Sequence, residues 1–289
     1  SYGSGSYIYE WQESTDNLTW PAATGTYTNT TYSPDISDFT TIENIYYRRV
    51  VYSGLSNTCK SISGPIHLTR YHKIIDNTIS ADQTICSGHT PATLNGVQPT
   101  QGDHINYPYQ WQYSTKTTTW TTLSAVNLNS YSPGVLADTT WYRRIVSSSK
   151  CTSTSNKIIV NALDPVTNFN IAGDTTICTG AVPQKLRGRK ASGGNGSFAY
   201  QWYYSHDNFA SPKTPVPVTG TLEVLTPVAL TQDTWYMREV TSDECFETSN
   251  IIKVTVLPVI SNNVITPANP AVCDNTIPSA ITSGTLTGG

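Results

Sequence analysis

Apolar and polar residues alternate along Tyr109-Gln110-Trp111-Gln112-Tyr113. Residues 109, 111 and 113 share one face of an extended chain, and Gln110 and Gln112 the other. This predicts a half-buried antiparallel strand with an aromatic inner face. The phrase returns as Tyr200-Gln201-Trp202-Tyr203-Tyr204 and occurs earlier as Tyr9-Glu10-Trp11-Gln12-Glu13. A second phrase follows each copy: Tyr46-Tyr47-Arg48-Arg49-Val50, Trp141-Tyr142-Arg143-Arg144-Ile145 and Trp235-Tyr236-Met237-Arg238-Glu239. Trp11, Trp111 and Trp202 recur at intervals of 100 and 91 residues, and Tyr47, Tyr142 and Tyr236 at intervals of 95 and 94. A fixed period means tandem units, each about 100 residues, the size of one small β-sandwich. No segment carries a sustained helical apolar stripe, and Gly and Pro break the chain into short strands. The expected fold class is all-β: tandem antiparallel sandwiches with Trp11, Trp111, Trp202, Tyr47, Tyr142 and Tyr236 as structural core.

The order of phrases divides the chain into a partial repeat over 1–72, complete repeats over 73–163 and 164–258, and the start of a further one over 259–289. The first lacks room for the strands that precede Trp11. The joints at Asp164-Pro165 and Leu257-Pro258 are short, and Pro stiffens such links. An elongated, semi-rigid rod is the expected arrangement.

The six cysteines keep the period and form two classes. Cys86, Cys178 and Cys273 follow an apolar residue near the start of a repeat. Cys59, Cys151 and Cys245 follow the Tyr-Arg phrase. The pairing expected from this order joins one of each class inside one repeat, Cys86 with Cys151 and Cys178 with Cys245. Cys59 and Cys273 are then left unpaired by truncation. Disulfides imply an oxidising compartment and an exported protein.

Composition narrows the function. Charged residues are 13% of the chain, against a usual share of about 25%. Net charge is −3 with no basic block, so there is no electrostatic footprint for nucleic acid. No run of about 18 apolar residues exists to span a membrane. The five histidines, His67, His72, His89, His104 and His206, lie outside the repeated phrases, and no catalytic motif or clustered metal ligand set is present. His206-Asp207 reads as a loop pair, since adjacent residues rarely face each other. No enzyme activity, cofactor or metal is expected, though Asp164 and Asp174 stand where a calcium joint between repeats would be placed. Trp120 and Trp141 are either packed side chains or platforms for stacking sugars.

The Trp of the first phrase and the Tyr of the second resemble the strand C tryptophan and the strand F tyrosine corner of immunoglobulin domains. Two residues past that tyrosine stands Arg144 or Arg238, where an antibody domain has cysteine. The array as a whole, through Tyr-Gln-Trp-Gln-Tyr-Ser, Trp120, Tyr131-Ser132-Pro133, Thr140-Trp-Tyr-Arg-Arg and the Cys151-to-Asn156 spacing, resembles the immunoglobulin-like repeats of giant Bacteroidota surface adhesins. Those include gliding-motility adhesins exported by the type IX route. The resemblance implies an exported adhesin or filament segment on the surface of a Gram-negative bacterium. Its partners would be a surface ligand or glycan, the outer-membrane secretion or motility machinery, and neighbouring copies. The alternative is a carbohydrate-binding or spacer stalk of a secreted enzyme. Asp138-Thr139 and Asp174-Thr175 resemble the short O-glycosylation acceptor pattern of the same bacteria, making Thr139 and Thr175 the expected sugar sites.

Overall fold

A computed structural model describes residues 6–34, 43–54, 57, 59–103, 105–124, 126–173, 175–266 and 271–289. They belong to two compact units, one drawn from Ser1–Gln83, Pro91–Gly134 and Thr140–Val160, the other from Thr84–Thr90, Val135–Thr139 and Asn161–Gly289. Among the described residues there is no α-helix, and the sandwiches are immunoglobulin-like and almost wholly antiparallel.

The first repeat contributes β1 (Tyr7–Ser14), β2 (Glu43–Ser53), β3 (Cys59–Ile62) and β4 (Ile66–Arg70). β2 pairs antiparallel with each of the other three. The second repeat contributes β5 (Ile79–Ser80), β6 (Gln83–Cys86), β7 (Asn95–Gly96), β8 (Tyr109–Ser114), β9 (Thr121–Thr122), β10 (Thr140–Ser148), β11 (Cys151–Thr154) and β12 (Ile158–Thr167). β10 pairs with β8, β11 and β12, while β5 and β7 form a small sheet of their own. The third repeat contributes β13 (Ile171–Ala172), β14 (Thr175–Cys178), β15 (Arg187–Gly188), β16 (Ser192–Gly194), β17 (Ala199–Ser205), β18 (Thr214–Pro215), β19 (Thr234–Ser242), β20 (Cys245–Thr248) and β21 (Ile252–Leu257). β14 runs parallel to β21, and β19 pairs with β17, β20 and β21. Residues 259–289 hold only β22 (Ile265–Thr266) and β23 (Thr282–Ser283), and none of their described residues is buried. A lone pair of short strands buries too little to form a core.

One register is built three times. Trp11 faces Arg49, Trp111 faces Arg144, and Trp202 faces Arg238 across their strand pairs. Burial in β10 alternates without a break, so Thr140, Tyr142, Arg144, Val146 and Ser148 face inward. Tyr47, Tyr142, Tyr236, Trp111 and Trp202 are buried, as their strand positions predict, whereas Trp11 is half-buried.

The arginine at the antibody cysteine position lies inside the sandwich. Arg144 and Arg238 are each fully buried. The Arg144 guanidinium packs 4.9 Å from the Tyr109 ring centre and 5.9 Å from that of Trp111. Its nitrogens donate to Asn77 Oδ1, to the carbonyl and side chain of Asn129, and to the Val97 carbonyl. A buried cation is tolerable when its donors are met. Arg238 packs on Tyr200 and Trp202 at 4.9 and 5.5 Å and donates to the carbonyls of Glu223 and Phe169. Burial lowers the pKa of both arginines from the ordinary value. The guanidinium also dictates a glycine on a strand of a different sheet. A Cβ at Gly96 would overlap Arg144, and one at Gly188 would overlap Arg238.

The cysteine pairing differs from the expected one. Cys86 is bonded to Cys245, 159 residues away, with an S–S distance of 2.04 Å, while Cys59, Cys151, Cys178 and Cys273 are free thiols. The strand order explains why. Cys178 ends β14, opposite Leu257 and beside the start of β19, because Thr234 faces Val254 on the same β21. Cys245 opens β20 opposite Ser242, at the other end of β19. Nine residues of strand at about 3.3 Å each separate the two ends by roughly 25–30 Å. A disulfide needs Cα atoms within about 7 Å, so the two cysteines of one repeat cannot meet. The Cys86–Cys245 Cα atoms are 4.9 Å apart. The bond sits in a cluster with Val166, Ala191 and Val240, flanked by Leu163, Phe169 and Phe198.

Candidate functional site

The outward face of the central strands carries a repeated side-chain ladder. Arg143 points away from the core, and its Nε donates to Gln112 Oε1 at 2.7 Å. Its guanidinium lies 4.2 Å from the centre of the Trp120 ring. Gln112 Nε2 donates to Thr122 Oγ1 at 3.1 Å, so Gln112, placed by the alternation on the polar face, is nevertheless buried. The first repeat does the same. Arg48 Nε donates to Gln12 Oε1 at 2.8 Å and the guanidinium lies 4.2 Å from the Trp20 ring centre. The register Gln12↔Arg48 and Gln112↔Arg143 sets both.

Such a pair presents a half-exposed indole and a planar cation side by side. The indole offers an apolar platform and the guanidinium a fork of donors suited to carboxylates and hydroxyls. Trp120 is therefore neither a core residue nor a free-standing platform, since one face of its ring is occupied by Arg143. Trp141 is half-buried, its side chain alternating outward along β10. In the third repeat Met237 replaces the arginine, and Lys213 takes over, 4.3 Å from the Tyr203 ring centre and ion-paired with Glu239.

A cavity of about 380 Å³ lies in the third repeat, lined by Tyr204, His206, Val216, Leu225, Leu230 and Tyr236 among others. In the second repeat Tyr131 is bridged to Leu94, and its ring sits between Trp111 and Tyr142 at 5.7 and 5.8 Å. Tyr32 holds the same place in the first repeat, 5.8 Å from Trp11 and 5.6 Å from Tyr47. In the third repeat the bridged pair is Leu186 and Leu225. Leucine does not reach as far as a phenol, and Leu225, Tyr204 and Tyr236 all line the cavity.

The remaining candidates disperse. His206 Nδ1 lies 3.2 Å from the Asp233 carbonyl and 3.3 Å from Thr234 Oγ1, whereas Asp207 accepts from the hydroxyl of Ser205 and the amide of Ser211. The two adjacent residues do not form an acid–base pair. Among the described residues no group of three or more His, Cys, Asp or Glu could hold a metal ion. Thr139 is half-buried; its hydroxyl donates to Asn161 Oδ1 and accepts from the Ala162 amide, both at 3.1 Å. Thr175 is half-buried in β14. Asp174 and His104 lie outside the described residues. No helix among the described residues is long and apolar enough to cross a membrane. Sequence reasoning missed Asn77, Gly96, Gly188 and Leu225. The 92-residue interval between Gly96 and Gly188, equal to that between Cys86 and Cys178, was the available signal for the glycines.

A family model described as "Domain of unknown function (DUF8696)" matches residues 1–69, 75–163 and 167–258. No curated protein matches the chain. Similar solved structures include Drosophila OTK extracellular domains 3-5, at 10% identity and a TM-score of 0.40, covering 86% of this chain and 85% of that one. Another is the chicken CNTN1 FN1-FN3 domains, at 12% identity and a TM-score of 0.36, covering 89% and 96%.

Proposed function

The chain belongs to the DUF8696 family, and we propose that it is a repeat segment of an exported, non-catalytic surface protein that supports attachment. The carrying observation is the disulfide between Cys86 and Cys245. Such a bond persists outside the reducing cytosol. The outward Arg–Trp ladder of the first two repeats supplies contact chemistry. The finer reading follows from the sequence resemblance: a long adhesin or filament on a Gram-negative surface, exported by the type IX route and serving attachment or gliding. It would engage a surface ligand or glycan and the outer-membrane machinery, and its divisions would be 1–72, 73–163, 164–258 and 259–289. The test is antibody labelling of intact source cells. Labelling without permeabilisation is expected, and labelling only after permeabilisation overturns the reading.

The third-repeat cavity favours a second reading, a carbohydrate-binding stalk. Two tyrosines and a histidine around about 380 Å³ are suited to one sugar ring. Binding of defined glycans by the whole chain, lost when Leu225 is replaced by Tyr, would support the stalk. Silence across a glycan array would leave the adhesin.

A further inference from the structure

Both classes of free cysteine occupy positions geometrically equivalent to the two bonded ones. Cys178 stands where Cys86 stands. The Ser87 amide donates to Leu163 O and the Gly88 amide to Leu136 O, and the Thr179 and Gly180 amides donate to Leu257 O and Leu230 O in the same pattern. Cys151 and Cys59 stand where Cys245 stands: each opens a strand, opposite Ser148 and Ser53, as Cys245 does opposite Ser242. The apolar seat is repeated too. Val166 and Val240 beside the bond have counterparts in Ile74 and Val146, which are 1% and 0% exposed. What differs is cover. Cys86 is buried and Cys178 exposed; Cys245 is fully buried and Cys151 half-exposed.

We propose that the two classes are the two halves of one inter-repeat fastening, in which the cysteine ending the strand of one repeat bonds to the cysteine opening the hairpin strand of the repeat that follows. Cys86 of the second repeat and Cys245 of the third are the instance seen. Cys178 then takes a cysteine of the Cys245 class from a further repeat, and Cys151 one of the Cys86 class. The partner is another repeat of this kind, following for Cys178 and preceding for Cys151, on the same polypeptide or on a second copy of the chain. Each bond forms as two S–H bonds break. The two electrons and two protons pass to an oxidant of the disulfide class, which is reduced to two thiols. The inference rests on the exported location proposed above, because the reducing cytosol would keep these thiols free.

The experiment is peptide mapping of the native protein, alkylated at lysis and digested without reduction. Protein from cells grown on light and heavy nitrogen is mixed and oxidised with oxidised glutathione in parallel. Expected are Cys86–Cys245 peptides, with Cys178 joined to a cysteine of the Cys245 class and Cys151 to one of the Cys86 class. Mixed light–heavy pairs identify a second copy as the partner, and single-isotope pairs the same polypeptide; either supports the fastening. Bonds within one repeat, Cys86–Cys151 or Cys178–Cys245, overturn it. So do bonds between cysteines of one class, or alkylated Cys151 and Cys178 in the native protein. Wrong connectivity would leave surface exposure untouched, and absence of surface labelling would leave the connectivity rule standing, so the two failures are distinguishable.

Discussion

Arg144 and Asn77 are joined twice: Nε and Nη2 of the guanidinium both donate to Oδ1, at 3.0 and 2.9 Å. In the third repeat Phe169 stands at the position of Asn77, and Arg238 Nε has no acceptor among the described residues. Removing the amide from the second repeat recreates that deficit with no phenyl ring in exchange. Asn77→Ala is expected to cost about 2–3 kcal/mol, the penalty for leaving a buried charged donor unmet. Urea unfolding of the whole chain would show it as a lower midpoint for the transition that involves Trp111. An unchanged midpoint would mean that water replaces the amide.

Gly96 and Gly188 are set by the same arginines. Alanine at either position brings a Cβ into the guanidinium. Each substitution is expected to destabilise its own repeat by about 1–3 kcal/mol, the usual range for overpacking. The double change Gly96→Ala with Arg144→Met should recover part of that loss, since a thioether can bend away. Additive losses in the double-mutant cycle would contradict the contact.

Leu225→Tyr should build in the third repeat, with Trp202 and Tyr236, the three-ring stack that Tyr131 makes with Trp111 and Tyr142. Leu225 lines the cavity with Tyr204 and Tyr236, so a larger side chain there should reduce its volume. A gain of about 1 kcal/mol is expected from the aromatic contacts, with a stronger near-ultraviolet circular dichroism signal. A loss of stability would show that the loop carrying Leu225 holds its backbone too far inward for a larger ring.

Arg143→Ala and Trp120→Ala lie on the outer ladder and should change stability by less than about 1 kcal/mol. If the ladder contacts a surface ligand, both weaken binding of the chain to intact target cells while thermal unfolding stays nearly fixed. Equal binding by both variants would remove the ladder from the adhesive surface.

Alkaline pH tests the buried tyrosines. Desolvation, with a smaller contribution from Tyr204, pushes Tyr236 up to about 12, and burial raises Tyr142 further. The unfolded chain ionises its tyrosines near 10. A raised acid holds its proton more tightly in the folded state, so this contribution to stability is complete below pH 10. It is lost as pH climbs from about 10 through 12. For Tyr236 the full contribution is on the order of 2–3 kcal/mol. Phenolate absorbance at 295 nm should show Tyr142 and Tyr236 titrating only with unfolding. Tyr236→Phe should remove one phenolate from that late step.

The parts of the fold governed by period-two alternation were legible. The outward Arg143, the inward Tyr142 and the thrice-built strand pair all follow from residue order alone. Three features were not. Arginine is ordinarily an exposed residue, so nothing local marks Arg144 as buried; the mark lies in Asn77 and Gly96, far away in sequence. Spacing sorted the cysteines into classes but could not say at which end of a nine-residue strand each class lands. That end decided the partner. Gln112 likewise sat on the predicted face, yet its burial depended on Trp120 and Arg143 closing over it.

The bond between Cys86 and Cys245 also sets a route for tension. A pull applied to the chain on either side of this span crosses directly through the sulfur atoms and bypasses the intervening polypeptide. At about 3.4 Å per residue, more than 500 Å of contour is withheld from stretching, because 159 positions separate the two cysteines. Strands of the third repeat such as β14 and β17 can then stay folded under forces that would otherwise peel them apart, until a reductant opens the shortcut.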